Sequence, residues 1–253
     1  MSIDEEIRAG SVLPAERTAV EMITDDGLRL VGEIAEPLGR PAAATLVCVH
    51  PLPTQGGMMD SHLLRKAAWR LPALAGIAVV RFNTRGTSSV AGTSEGAFDE
   101  ARGEGLDLRA ALRLVRETGL PRPWVLGWSF GSDVVLKHAA GEDIVGAILV
   151  SPPLRYTSPA ELSAWSGRAL TCLIPEKDDF LRPDDARTRF ASARGARVVV
   201  GPGAGHLWVG ERYARMVLDE VADLLVPGSS PLPTAWPAER AAREGPMERW
   251  SDL

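Results

Sequence analysis

The segment Gly127-Trp128-Ser129-Phe130-Gly131 has the residue types and spacing of a nucleophilic serine on a sharp turn. The apolar run WVLGW predicts a strand that leads into it, and the residues that follow predict a helix. Such a tight turn leaves no room for a side chain two positions before or after the serine, which explains both glycines. Strained backbone angles would expose the hydroxyl, and the helix N-terminus favours negative charge. We predict Ser129 as a nucleophile; the alternative is an ordinary Ser-Gly turn.

A serine hydroxyl is a weak nucleophile until a base removes its proton. In a strand–turn–helix arrangement of this kind, the acid and then the histidine follow the serine along the chain. Of the four histidines, His50 and His62 precede Ser129, and His138 lies on the helix directly after it. His206 follows the last predicted strand, and its loop GPGAG can bring an imidazole back over the sheet edge. We therefore predict His206 as the base.

The acid is expected just beyond the strand ALTCLIP, which precedes the strand that leads to His206. A carboxylate a few residues past the end of that strand can reach the imidazole and fix its tautomer. This position favours Asp178, and Asp179 is the alternative. Asp184 and Asp185 are predicted to begin the next helix, where acidic residues are favoured.

Short apolar runs separated by helical patterns predict the elements that position these residues. The alternating segments TAVEMIT and LRLVGEI predict an antiparallel hairpin of half-buried strands. The helical patterns occupy residues 61–71, 108–115, 134–140, 184–193 and 213–224. We predict a three-layer α/β/α sandwich whose mostly parallel sheet has about eight strands, including the N-terminal hairpin.

Composition and charge exclude several classes of protein. The 253 residues are 45% apolar and 24% charged, which is typical of a folded globular chain. The net charge of -5 argues against a nucleic-acid-binding surface. No apolar stretch has the length of a membrane span, and the acidic start lacks the apolar core of a secretory signal. Cys48 and Cys172 lie in predicted strands, so we expect buried, reduced thiols in a cytoplasmic protein.

The chain divides into three expected parts. Residues 1–17 form a polar N-terminal extension that we predict to be loose, residues 18–226 form the folded domain, and residues 227–253 form a proline-rich tail. Trp236 and Trp250 lie in that tail, and large apolar side chains are rarely left in water. Packing of the tail on the domain, packing on a partner subunit, and disorder are the three alternatives.

Taken together, these motifs resemble those of the α/β-hydrolase superfamily over residues 18–226. GWSFG is similar to its nucleophile turn, GAGH to its histidine loop, and PEKDDFLRP to its acid loop, with Asp178 at the aspartate position and Pro175 at the usual glycine. FNTRGTSS resembles the loop after the fourth strand, with Asn83 for aspartate and Ser88 for glycine. HPLPTQGG resembles the segment H-P-H-P-x-x-G-G of small dienelactone-hydrolase-like proteins. True dienelactone hydrolases use a cysteine nucleophile, so their activity does not extend to a chain with Ser129.

The resemblance implies a serine hydrolase that cleaves carboxylic esters or thioesters through an acyl-enzyme. A peptidase or acyltransferase on the same residues, and a non-catalytic binding protein of this fold, are the alternatives. Large lid domains of the superfamily follow the sixth strand, where this chain has only residues 151–167, so we expect an open site without a large cap. The expected partner is a small-molecule acyl ester, with no cofactor, metal, nucleic acid or membrane; a homo-oligomer is left open.

Two backbone N–H groups are expected to form the oxyanion hole. One belongs to Phe130, directly after the nucleophile, and the other to the loop after the strand that ends at His50. Because Pro51 and Pro53 have no N–H, Leu52 is the predicted second donor, with His50 as a structural anchor beneath it.

Four further residues are candidates near the site. Trp128, Tyr156 and Trp165 are candidates to line the substrate pocket, and an ordinary core position is the alternative for each. Arg85 is expected to join loops around the site, and contact with an anionic substrate is its alternative role.

Overall fold

The computed structural model describes residues 4–252 and has a central sheet of eight strands. The strands are β1 (Glu16–Ile23), β2 (Arg29–Glu36), β3 (Ala44–Val49), β4 (Ile77–Phe82), β5 (Pro123–Trp128), β6 (Gly146–Val150), β7 (Leu170–Pro175) and β8 (Arg197–Gly201). Their order is β8-β7-β6-β5-β3-β4-β2-β1. β2 is antiparallel to both of its neighbours, and all other neighbouring pairs are parallel. The predicted α/β sheet and N-terminal hairpin are therefore confirmed.

The strands beside the nucleophile turn are buried on both faces. Every residue of β3, β4, β6 and β7 is buried, which explains why these runs are predominantly apolar rather than alternating. The parallel strands all end at the same edge, so the loops that follow β3, β5, β7 and β8 meet there.

Helices cover both faces of the sheet. They are α1 (His62–Ala75), α2 (Glu104–Glu117), α3 (Phe130–His138), α4 (Pro159–Ser163), α5 (Pro183–Arg189), α6 (Glu211–Leu225) and α7 (Ala238–Glu244). α1 and α6 pack in one apolar layer, and α2, α3 and α5 pack in the other. Between β6 and β7 lies only the short α4, so the protein lacks a large cap. Within residues 4–252, none of the helices combines the length and apolar character needed to cross a bilayer.

The two ends of the chain pack together on the domain. Glu5–Glu6 pairs antiparallel with Ala235–Trp236, and Ser11–Val12 pairs with Glu248–Arg249. Below these pairs, a small apolar cluster contains Ile7, Leu13, Ala73 and Trp236. The prediction of a loose extension is therefore wrong for residues 4–17, while residues 1–3 lie outside the described part of the chain. Of the three alternatives for the tail, packing on the domain is the one observed.

Candidate active site

Ser129 lies on the turn between β5 and α3 in a strained backbone conformation. Its φ of 51° and ψ of -118° fall in a region that non-glycine residues avoid. Two contacts hold the turn: the Ser129 N–H donates to the Val150 carbonyl at 2.8 Å, and Ser132 Oγ donates to the Gly127 carbonyl at 2.8 Å. The strain directs the Ser129 side chain away from the sheet and into an open cleft.

Both glycines of the motif are required by close backbone contacts. A Cβ on Gly127 would lie 2.4 Å from the carbonyl oxygen of Gly131, and a Cβ on Gly131 would lie 2.2 Å from that of Val49. Any side chain at either position would force the turn apart, because these contacts involve backbone atoms that cannot rotate away.

The structure brings together the predicted serine, histidine and aspartate. Ser129 Oγ lies 2.9 Å from His206 Nε2, and His206 Nδ1 lies 2.9 Å from Asp178 Oδ2. These partners fix the tautomer: Nδ1–H donates to the carboxylate, and Nε2 accepts the serine hydroxyl proton. The other carboxylate oxygen accepts the backbone N–H groups of Phe180 at 2.8 Å and Leu181 at 3.1 Å. A proton can therefore pass from Ser129 to His206.

Asp178 is held in its ionised form. Its burial acts to raise the pKa, but the hydrogen bonds from His206 and from the Phe180 and Leu181 amides outweigh it, and the pKa lies below its ordinary value. Asp179 is exposed and forms no hydrogen bond with any residue between positions 4 and 252. Of the two aspartates left open by the sequence, Asp178 is the one in contact with the imidazole.

Residues outside the sequence motifs hold the loop that carries His206. Ser151 Oγ donates to the His206 carbonyl at 2.8 Å and accepts the indole N–H of Trp208 at 2.8 Å. On the neighbouring residue, the Leu207 carbonyl accepts a hydrogen bond from His62 Nε2 at 2.7 Å. Ser151, directly after β6, and His62, in α1, therefore hold the backbone around His206, and Asp178 holds its ring.

The hydroxyl of Ser129 opens into a cleft of about 530 Å³. Its lining residues are Leu52, Gln55, Ser129, Phe130, Asp133, Pro153, Arg155, Tyr156 and Phe180. Phe130 and Leu52 both line the cleft, and the backbone N–H of neither residue donates to a backbone acceptor among residues 4–252. Both predicted oxyanion donors therefore belong to residues that line the same cleft as Ser129.

Several solved structures share this fold. An alpha-beta serine hydrolase homologue from Coxiella burnetii is 28% identical, with a TM-score of 0.67 over 83% of this chain and 95% of that one. XC6422 from Xanthomonas campestris, described as a member of the a/b serine hydrolases without lid, is 26% identical, with a TM-score of 0.68 over 85% and 95% of the two chains. The chain is a member of the α/β-hydrolase superfamily.

A more distant likeness extends to the Pyrococcus furiosus esterase Pf2001. That protein is 17% identical to this α/β-hydrolase, with a TM-score of 0.71 over 83% of this chain and 90% of that one, which shows the shared fold. No protein-family model matches the chain, and no curated protein matches it. Its membership therefore depends on the three-dimensional arrangement.

In this α/β-hydrolase, His50 lies fully buried below the Leu52 loop. Its Nδ1–H donates to the Pro51 carbonyl at 2.7 Å, and its Nε2 accepts the backbone N–H of Thr84 at 3.0 Å. Burial lowers the pKa of His50 to about 4, so the ring is neutral at pH 7. These contacts join the loop after β3 to the loop after β4, and they leave the imidazole no access to the cleft.

Arg85 is occupied by carboxylates away from the cleft. Its guanidinium pairs with Asp107 of α2 at 2.8 Å and with Asp26 of the β1–β2 hairpin at 3.0 Å. The side chain is 8% exposed and is not part of the cleft lining. Arg85 joins α2 to the hairpin, so contact with an anionic substrate in this cleft is excluded by position.

Two of the three aromatic pocket candidates are core residues, so those predictions are wrong. Trp128 points to the α1 and α6 side of the sheet and packs edge-on against His62 with ring centroids 5.2 Å apart. Trp165 is buried beneath α3, and its indole N–H donates to the Leu136 carbonyl at 3.1 Å. Tyr156 does line the cleft.

Asp133 is a buried residue of the site that the motifs do not include. Its carboxylate accepts the backbone N–H groups of Arg155 at 3.3 Å and Tyr156 at 3.1 Å, and the hydroxyl of Thr157. It thereby fixes the loop after β6 to the helix that begins beside Ser129. The only sequence signal is an acidic residue in the first turn of that helix. Among residues 4–252, no group of three or more His, Cys, Asp or Glu side chains is arranged to hold a metal ion.

Proposed function

We propose that this α/β-hydrolase cleaves carboxylic esters, including thioesters, through an acyl-enzyme formed on Ser129. The observation that supports this proposal is the continuous contact from Ser129 Oγ through His206 to Asp178, at 2.9 Å in both steps, with the serine facing an open cleft. A hydrogen-bonded nucleophile, base and orienting carboxylate is the arrangement that acyl transfer requires.

In the first step, Ser129 Oγ attacks the substrate carbonyl while its proton passes to His206 Nε2. Asp178, ionised and bonded to Nδ1, stabilises the imidazolium that results. The N–H groups of Phe130 and Leu52 bind the oxyanion of the tetrahedral intermediate. When this intermediate collapses, His206 Nε2 delivers the proton to the leaving alcohol or thiol, and the acyl group stays on Ser129.

In the second step, a water molecule replaces the leaving group. His206 Nε2 removes its proton, the resulting nucleophile attacks the acyl carbonyl, and the oxyanion forms again at the same two amides. The proton then returns to Ser129 Oγ as the carboxylic acid departs. The absence of a large cap between β6 and β7 leaves the cleft open for this water.

Labelling with a fluorophosphonate tests the nucleophile directly. We expect the wild type to be labelled at Ser129, the Ser129→Ala variant to remain unlabelled, and the His206→Ala variant to be labelled far more slowly. Hydrolysis of phenyl and thiophenyl esters of graded acyl length tests the reaction. A wild type that is neither labelled nor able to hydrolyse any of these esters would disprove the proposed function, and labelling that persists in Ser129→Ala would disprove the nucleophile.

A further inference from the structure

Arg155 places a positive charge at the cleft without a carboxylate partner. It is exposed, it belongs to the cleft lining, and no acidic side chain among residues 4–251 forms an ion pair with its guanidinium. Its guanidinium lies over the ring of Tyr156, with the guanidinium carbon 5.4 Å from the ring centroid. Arg85, in contrast, is buried between two carboxylates. Arg155 is therefore free to bind an anion in the cleft.

The acidic residue of the cleft lining, Asp133, is already occupied by other donors. Asp133 accepts the backbone N–H groups of Arg155 and Tyr156 together with the Thr157 hydroxyl, rather than the guanidinium. Lys137, one turn further along α3, donates to the Tyr156 carbonyl at 3.2 Å. The backbone of Arg155 is thus fixed to the helix of the nucleophile, while its charged end remains available.

The geometry of proton transfer assigns the two sides of the cleft to the two parts of an ester. Because His206 must protonate the leaving oxygen, the leaving group lies on the side of His206. There Phe180 packs on the imidazole with ring centroids 4.5 Å apart, and Phe180 and Leu207 are 66% and 50% exposed. Of these two residues, Phe180 lines the cleft and gives this side an exposed apolar ring.

The other side extends away from the base. Phe130 follows the nucleophile, Tyr156 packs against Phe130 with ring centroids 5.8 Å apart, and Arg155 lies over Tyr156. An acyl group that leaves Ser129 in this direction passes the half-buried ring of Tyr156, which rests on the buried Phe130, and reaches the Arg155 cation. An aromatic wall suits methylene groups, and a guanidinium suits a terminal carboxylate.

We propose that Arg155 makes this protein selective for esters whose acyl chain ends in a carboxylate, that is, monoesters of dicarboxylic acids with an apolar alcohol. This inference depends on the proposed esterase function and specifies its substrate. Recognition consists of charge-assisted hydrogen bonds from Arg155 to the distal carboxylate, and the reaction releases the free dicarboxylate and the alcohol.

Pairs of phenyl esters matched in acyl length test the selectivity. Phenyl hexanoate is compared with monophenyl adipate, and phenyl pentanoate with monophenyl glutarate, after subtraction of the uncatalysed rate. We expect the wild-type kcat/KM to be about tenfold higher for the anionic member of at least one pair, as for a charge-assisted hydrogen bond. This ratio should fall as the salt concentration rises, because the site is open to solvent.

Variants locate the effect. Arg155→Gln should reduce the ratio about tenfold, Arg155→Lys should keep part of it, and Arg155→Glu should favour the phenyl ester of 6-aminohexanoate over phenyl hexanoate. Arg189→Gln, at an exposed arginine outside the cleft, should leave the ratio unchanged. Fluorophosphonate labelling and circular dichroism check that each variant is folded.

The outcomes separate this inference from the proposed function. If the wild-type kcat/KM is the same for the neutral and the anionic ester of each pair, the selectivity is overturned, although the esterase function is supported. A ratio that Arg155→Gln and Arg189→Gln leave equally unchanged would also overturn the role of Arg155. If no ester of either kind is hydrolysed and Ser129 is not labelled, the proposed function itself fails. The wild-type comparison decides even where an Arg155 variant does not fold.

Discussion

At the residue scale, two adjacent aspartates differ in their contact with His206. Asp178 is buried and bonded to His206 Nδ1 at 2.9 Å, whereas Asp179 is exposed. We expect Asp178→Asn to lower kcat for ester hydrolysis by about 10³- to 10⁴-fold, because the amide favours the wrong imidazole tautomer and does not stabilise the imidazolium. Asp179→Asn is the matched control, expected within about twofold of the wild type. Steady-state kinetics of both variants check this, and equal losses would contradict the assignment of Asp178.

The Leu52 amide can be removed with little change of backbone. Leu52 has a φ of -55°, which is already within the range that proline adopts. We expect Leu52→Pro to lower kcat by about 10²–10³, as for the loss of one oxyanion donor. Leu52→Ala keeps the N–H and removes only the side chain from the cleft, so we expect it to change KM more than kcat. If the two variants lose the same amount of kcat, the second donor is a different group.

The buried imidazole of His50 makes stability depend on pH. Its folded-state pKa of about 4 lies below the ordinary value of about 6.5, so the unfolded chain binds the proton more readily. Stability from this group is complete above pH 6.5 and falls by about 1.4 kcal/mol per pH unit as the pH drops towards 4. We expect the free energy of unfolding, measured in urea at several pH values, to fall less steeply across this window in His50→Gln. Parallel curves for variant and wild type would contradict a neutral, buried His50.

Sequence motifs predicted which residues meet at the nucleophile, because steric demands of the turn and chain order leave few choices. They could not predict Ser151 or Asp133, whose roles depend on contacts with backbone groups that are distant in the sequence. The failure for Trp128 and Trp165 has the same origin. Both are aromatic residues of the type that lines pockets. Whether such a residue lies in the core or in the cleft depends on the direction of its side chain, which the sequence does not give.

At the element scale, the loop after β8 depends on the end of β6. Ser151 Oγ joins the His206 carbonyl to the Trp208 indole, each at 2.8 Å. We expect Ser151→Ala to lower kcat about tenfold with KM nearly unchanged, because a displaced imidazole impairs proton transfer but not substrate binding. A variant that raises KM and keeps kcat would contradict this positioning role.

The element boundaries near the site also show what periodicity misses. The apolar pattern predicts a helix over residues 134–140, but α3 begins at Phe130 and ends at His138. Gly131 and Ser132 lack apolar side chains, so the first turn of α3 has no apolar periodicity, although its residues are buried. The sheet was easier to predict, since its central strands are predominantly apolar.

At the scale of the whole molecule, the two ends of the chain form one structural unit. The pairs Glu5–Glu6 with Ala235–Trp236 and Ser11–Val12 with Glu248–Arg249 join opposite ends of the sequence. Each of these four segments has only two strand residues, so none is long enough to show a local pattern that predicts pairing. These segments form strands because folding of the domain brings the two ends of the chain together.

Trp236 is the residue through which this unit stabilises the domain. It is 1% exposed, packs with Ile7 and Leu13, and donates its indole N–H to the Gly245 carbonyl at 3.1 Å. We expect Trp236→Ala to lower the free energy of unfolding by about 3 kcal/mol, since truncating a buried tryptophan leaves a cavity.

Trp250→Ala is the control in the same tail: this side chain is 40% exposed, and a loss of about 1 kcal/mol is expected. Urea denaturation measures both, and kcat for ester hydrolysis should stay near wild type in each, because the tail lies outside the cleft lining. Equal destabilisation by the two substitutions, or a loss of kcat with Trp236→Ala in the folded protein, would contradict a purely stabilising tail.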